Sequence, residues 1–152
     1  LDHGADIEAK DKFKETALLE AISNLCEETV ALLVDRGADI EARDYSSSTA
    51  LIKAAARQCE ETVALLLDHG ADVEARNKNG RTALMIAARN QRPKNVALLL
   101  DSGADVEARD KDGDTALTLA QQAYGEDEDE DEDDVDSHEK VITLLISHGA
   151  DN

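Results

Sequence analysis

Several residue groups in this 152-residue chain are of types that bind metals or move protons. Asp110-Lys111-Asp112-Gly113-Asp114 alternates carboxylates much as a calcium loop does. Cys26 and Cys59 are the two cysteines, and His3, His69 and His148 form a third set. None holds up as a site of chemistry. Asp44 and Asn77 occupy the position of Asp110 in earlier stretches, and no Glu follows where an EF-hand needs its bidentate ligand. Cys26 and Cys59 sit 33 residues apart in equivalent positions. Stacked copies place such positions about 8–10 Å apart, beyond the ~7 Å Cα limit of a disulfide. They read as free thiols at helix starts, which points to an intracellular protein. The histidines share one position, held elsewhere by Arg36 and Ser102, where a positive charge suits a helix C-terminus. Spaced along a rod, they do not converge on a metal. There is no G-x-S-x-G, H-E-x-x-H or phosphate-binding Gly loop. Carboxylates without a pocket to shift their pKa values do not make an acid–base pair. The reading is a non-enzyme with no catalytic residue, metal or cofactor.

What positions these residues is a repeat. Gly-Ala-Asp recurs at Gly4, Gly37, Gly70, Gly103 and Gly149, and the first three steps are 33 residues each. A fixed period of this size means one supersecondary unit copied and stacked. In the unit from Ala71 to Gly103, Asn77-Lys78-Asn79-Gly80 reads as a turn. Thr82 is placed to cap a short apolar helix running through Ala88. A second helix begins near Pro93, which a first turn tolerates, and buries Val96, Leu99 and Leu100 at i, i+3, i+4. Gly103 ends it in the left-handed conformation.

This grammar resembles the ankyrin repeat over the whole chain. The family's T-P-L-H-x-A signature appears as Thr16 to Ala21, Thr49 to Ala54, Thr82 to Ala87 and Thr115 to Ala120. Its L-L-x-x-G-A-D ending appears at Leu33 to Asp39, Leu66 to Asp72, Leu99 to Asp105 and Leu145 to Asp151. The family Pro is Ala in every copy, and its His is Leu19, Ile52, Met85 or Thr118. Since that His usually knits hydrogen bonds between repeats, apolar packing is expected to replace most of the network. The turn Gly persists as Gly80 and Gly113 but is Lys14 and Ser47 earlier, where strain or a different turn shape is expected.

The expected fold is therefore an all-α solenoid of four helix pairs with projecting turn fingers, in units 5–37, 38–70, 71–103 and 104–149. Residues 1–4 read as the end of a preceding unit and 150–152 as the start of another turn, as in a fragment of a longer array. Aromatics make up 2% of the chain, so the core must be aliphatic, with small Ala at helix contacts. Such an array has no single deep core and no natural pocket. No apolar run approaches the ~18 residues of a membrane span, and no signal peptide is visible.

The last unit departs from the pattern. Thr115 to Gly149 spans 34 residues where the other units span 21, so 13 are inserted. The expected insertion, 125–137, lies between two helices. It holds Glu126, Asp127, Glu128, Asp129, Glu130, Asp131, Glu132, Asp133, Asp134 and Asp136, ten acids in eleven residues. Without them the net charge falls from −19 to −9, 25 acids against 16 bases. The run repels itself and buries nothing. It reads either as a solvated loop that keeps the array soluble, as a docking strand for a basic partner, or as a loose site for Ca²⁺ or Mg²⁺. Nucleic acid is disfavoured because no basic stripe exists.

The resemblance implies that turn tips and first helices line a concave groove where a protein or peptide binds. Position by position, that gives Lys12, Phe13 and Glu15, with Ser23 and Asn24, in the first unit. Tyr45, Ser46, Ser48 and Arg57 follow in the second, and Lys78, Asn79, Arg81, Arg89 and Asn90 in the third. Lys111, Asp112, Asp114 and Gln122 come from the fourth. Phe13 and Tyr45, two of only three aromatics, are candidate anchors, or they pack down on their own turns. The function expected is a monomeric protein-interaction scaffold, cytoplasmic or nuclear. Two alternatives stay open: the regulatory array of a larger enzyme or nucleotide-switching receptor, and an acidic chaperone-like escort of a basic client.

Overall fold

The computed structural model describes residues 6–123 and 132–150, the latter without the side chains of 132–134. Among them are eight helices and no strand: α1 (Ala17–Ser23), α2 (Glu27–Asp35), α3 (Ala50–Ala55), α4 (Glu60–Asp68), α5 (Ala83–Arg89), α6 (Pro93–Asp101), α7 (Ala116–Ala123) and α8 (Glu132–Ser147). The odd-numbered helices pack in one row, α1 on α3, α3 on α5 and α5 on α7, and the even-numbered ones in another. Each odd helix also packs on the even helix that follows it, which makes a two-layer solenoid.

Local chemistry fixes the start of the odd-numbered helices and the end of most helices. Thr16, Thr49 and Thr82 are N-caps in extended conformation, and their hydroxyls accept from the N–H of Leu19, Ile52 and Met85. At the other end of α2, Gly37 N–H donates to Val34 O at 2.9 Å and Ala38 N–H to Leu33 O at 3.0 Å. This paired closure of the last carbonyls needs φ > 0 at Gly37, which has φ 82°. The same pair of bonds closes α4, α6 and α8. It also closes α1 and α5, but there Leu25 (φ 56°) and Gln91 (φ 53°) take the left-handed position.

The core is aliphatic as expected, with Leu18, Leu19, Ile22, Leu51, Leu66, Leu84, Met85, Leu99, Leu119 and Leu145 among its largest fully buried side chains. Ala54, Ala55, Ala87, Ala88 and Ala120 are wholly buried and let the odd-numbered row approach closely.

Between helix pairs run the fingers. Asp11, Asp44, Asn77 and Asp110 each accept, through Oδ1, the N–H groups two and four residues on. All four fingers share this shape. Lys14 (φ 61°) and Ser47 (φ 60°) adopt the left-handed backbone held elsewhere by Gly, so those two turns are strained but not reshaped. Neighbouring fingers are joined by Tyr45 N–H to Phe13 O (3.1 Å), Lys78 N–H to Ser46 O (2.9 Å) and Lys111 N–H to Asn79 O (3.0 Å).

Two expectations need correction. Apolar packing, expected to replace most of the missing His network, shares the joining of units with recurrent polar bonds. Carboxylates of Glu8, Glu41 and Glu74 accept from the N–H of Asp39, Asp72 and Asp105, each at 2.8 Å. Arg43 and Arg76 bridge to Arg76 O and Arg109 O, at 2.7 and 2.6 Å. The period-33 recurrence of Glu and Arg in these segments was the available signal. The acidic insertion is likewise not an inter-helix loop through residue 137. The last five residues of the acidic run, Glu132 to Asp136, open α8, which has 16 residues where α2, α4 and α6 have 9. Carboxylates in a first turn meet the positive end of the helix dipole, so a run that repels itself as coil is stabilised there. Glu126, Asp127, Glu128, Asp129, Glu130 and Asp131 lie outside the described residues, as do His3 and residues 151–152.

Candidate protein-interaction surface

The finger residues gather along one edge. Phe13 is 50% exposed and Tyr45 58%, so neither packs down into the core. Lys12 Nζ stands 4.9 Å from the Phe13 ring centre, and Lys78 Nζ 5.8 Å from that of Tyr45. Lys12, Lys78, Asn79, Lys111 and Asp112 are exposed beside them. Ser46 is half-buried, with its N–H on Asp44 Oδ1 and its carbonyl holding Lys78.

Ion pairs lock the fingers from below. Lys53, on α3, pairs with Glu15 in the first finger and stands 3.6 Å from Asp44 in the second. Arg81 Nε donates to Asp110 Oδ2 at 2.8 Å and reaches Asp112 at 4.0 Å. Burial alone would raise the Asp110 carboxyl. The Arg81 hydrogen bond and the N–H groups of Asp114 and Asp112 outweigh that and hold it below the ordinary carboxylate value. With both its oxygens engaged, Asp110 is a brace between fingers and not an open cation ligand. Glu15, Arg81 and Asp114 thus serve the scaffold; Asp114 also accepts from Gln122 at 3.4 Å.

The helix-end candidates lie elsewhere. Ser23, Asn24 and Asn90 turn back on the carbonyls of Leu19, Glu20 and Ile86, closing their own helices. Arg89 is exposed at the end of α5. Arg57 is in the loop between α3 and α4, one helix length from the finger tips, where it lines a cleft with Arg92 and Lys94. The expectation of an array without pockets therefore fails at that edge.

Asn95 escaped the sequence reading. It is buried on α6, and its Nδ2 donates to Ala55 O (3.2 Å) and Arg57 O (2.7 Å), tying α6 to the end of α3. Its only signal was a polar residue aligned with Thr62, itself buried. Cys26 is exposed and Cys59 buried, and both are free thiols. Burial pushes the Cys59 thiol up, aided by Glu27. His69 and His148 present Nδ1 to the carbonyls of Leu65 and Leu144, at 2.9 and 2.8 Å, in the last turns of α4 and α8.

These braced helix pairs with linked fingers can be compared with known families. A model described as "Ankyrin repeats (3 copies)" matches residues 1–77, 44–110 and 72–152. The chain belongs to the ankyrin-repeat family. Ankyrin repeats are in general protein–protein interaction modules and typically not enzymes. No curated protein matches the chain. No described helix of this ankyrin array is long and apolar enough to cross a membrane.

Proposed function

We propose that this ankyrin array is a non-enzymatic, monomeric scaffold that binds a protein or peptide through its finger tips and adjoining groove. The observation that carries this is the pair Phe13 and Tyr45. Both rings are half or more exposed, each under a lysine, on fingers whose backbones are hydrogen-bonded to one another. Large apolar side chains held rigidly in water lose little entropy on binding and make strong anchors. The exposed Lys12, Lys78 and Lys111, with Asp112 on the fourth finger, give the finger edge both signs of charge, which suits an extended segment of mixed charge rather than a uniformly charged one or a nucleic acid. The free state of Cys26 and Cys59 supports a setting inside the cell.

The test is affinity capture followed by binding measurements on Phe13→Ala and Tyr45→Ala. Each exposed ring should contribute to affinity without contributing to folding. A tenfold or greater loss (about 1.4 kcal/mol) with unchanged thermal unfolding supports the reading. Partners that bind both variants as well as the parent overturn it.

A further inference from the structure

The unpaired charge on the finger edge is predominantly positive, although the chain as a whole carries −19. Most finger carboxylates are tied to the scaffold. Asp44 and Asp110 are buried, with Lys53 3.6 Å from the first and Arg81 2.8 Å from the second, and Glu15 also pairs with Lys53. Asp11 gives its Oδ1 to two N–H groups of its own turn. Lys12, Lys78 and Lys111 are exposed, and among the described residues none of the three has a carboxylate partner. The rings beside Lys12 and Lys78 leave their charges in place. Asp112, its side chain 73% exposed, sets a negative charge beside Lys111.

These charges stand in register. Lys12, Tyr45, Lys78 and Lys111 each follow the turn-forming Asp11, Asp44, Asn77 or Asp110, so they hold one position in four fingers. Tyr45, Lys78 and Lys111 each donate their N–H to the finger before, at 3.1, 2.9 and 3.0 Å. One step along the row therefore crosses two residues, at most about 3.3–3.6 Å each, and one such bond. The step is about 10 Å or less, in line with the roughly 8–10 Å between packed helices. A β-strand sends its side chains at i and i+3 to opposite faces. A polyproline II helix turns once in three residues and rises about 9.3 Å per turn, so every third side chain falls on one edge at the spacing of the row.

We propose that the finger edge binds a segment in polyproline II conformation that carries an acidic, an apolar and two further acidic side chains at every third position. This rests on the finger-tip reading above and names the chemistry of its partner. The acids meet Lys12, Lys78 and Lys111, and the apolar side chain lies on Tyr45. A basic residue next to the acid at Lys111 pairs with Asp112. A segment already held in this conformation loses little entropy on docking. The net charge of −19 opposes approach at a distance, but that repulsion is screened beyond about 8 Å at physiological salt.

The experiment uses the full chain and a fluorescein-labelled peptide, followed by anisotropy at low salt. The peptide carries Glu, Leu, Glu and Glu separated by Pro-Pro pairs and ends in Lys. Its reversed sequence is tested alongside, because the row does not fix chain direction. Saturable binding by one of the two is expected, weakened about fivefold by Lys78→Gln with Lys111→Gln and about tenfold by Tyr45→Ala. Thermal unfolding of the lysine variant should match the parent, since both side chains are exposed. Arg57→Gln, in the distant cleft that Arg57 lines with Arg92, Lys94 and Lys140, should leave binding unchanged. A peptide of the same composition with its three Glu side by side should bind about fivefold more weakly. No saturable binding, equal binding of the rearranged peptide, or as much weakening by Arg57→Gln as by the lysine pair would each overturn the proposal. Weakening by Tyr45→Ala but not by the lysine pair overturns it as well, while the finger-tip reading stands.

Discussion

Arg81 Nε donates to Asp110 Oδ2 at 2.8 Å, so a side chain at the foot of the third finger holds the carboxylate that shapes the fourth. Asp110 in turn accepts the N–H groups of Asp112 and Asp114 through Oδ1. The pair is largely shielded, with side-chain exposures of 15% and 0%, and its loss should be felt beyond one turn.

Arg81→Ala leaves a buried carboxylate without its strongest partner and should destabilise the array by about 2 kcal/mol. Because the folded Asp110 carboxyl titrates below its ordinary value, its contribution is fully present above about pH 5. It disappears as pH falls through the lowered value. Denaturant unfolding from pH 7 to pH 2 should therefore show a shallower acid decline in Asp110→Asn than in the parent. Parallel declines would show that Asp110 is not a source of acid sensitivity.

The fingers offer a matched pair of backbone tests. Ser47→Gly relieves the left-handed strain at φ 60° and should stabilise by about 0.5–1 kcal/mol. Gly80→Ala should do the reverse with an added contact, since a Cβ there falls 3.1 Å from Lys111 N and 3.2 Å from Lys111 Cγ. Gly113→Ala, whose Cβ meets nothing within 4 Å, should cost less than Gly80→Ala. Thermal unfolding of the three variants ranks them directly.

Thiol chemistry should separate the two cysteines. Cys26 is exposed, whereas Cys59 is buried, hydrogen-bonded to Ala54 O at 3.4 Å, and has its thiolate disfavoured by burial. One equivalent of Ellman's reagent is expected to react quickly at neutral pH, and the second only at the rate of unfolding. Two equal fast phases would contradict the packing around α4.

The early start of α8 is checked by Asp136→Gly. In a helix this change costs about 1 kcal/mol or less, from Gly's poor propensity, and it also removes the ion pair to Lys140. Asp136→Ala loses the same ion pair but keeps a good helix former, and the difference between the two variants reads the helix. Identical stability of the two would return the residue to a loop.

The order of elements was legible in the sequence because each depends on neighbours close in the chain. A threonine cap, an i, i+3, i+4 stripe and a closing glycine are local, and copying them at a step of 33 dictates stacking. The strain at Lys14 and Ser47 was legible for the same reason, by comparison with Gly80 and Gly113. Tertiary structure decided what depends on residues brought together from different copies. Glu8 finding the N–H of Asp39, Arg81 finding Asp110, and Asn95 spanning to Ala55 are long-range contacts set by how far one unit is shifted and turned on the next. The cleft at Arg57 and Arg92 has the same origin, since four cations spread over three helix pairs carry no local pattern. The acidic run shows the balance most clearly. Composition alone counts its self-repulsion, while the start of α8 supplies the backbone N–H dipoles that let part of it fold.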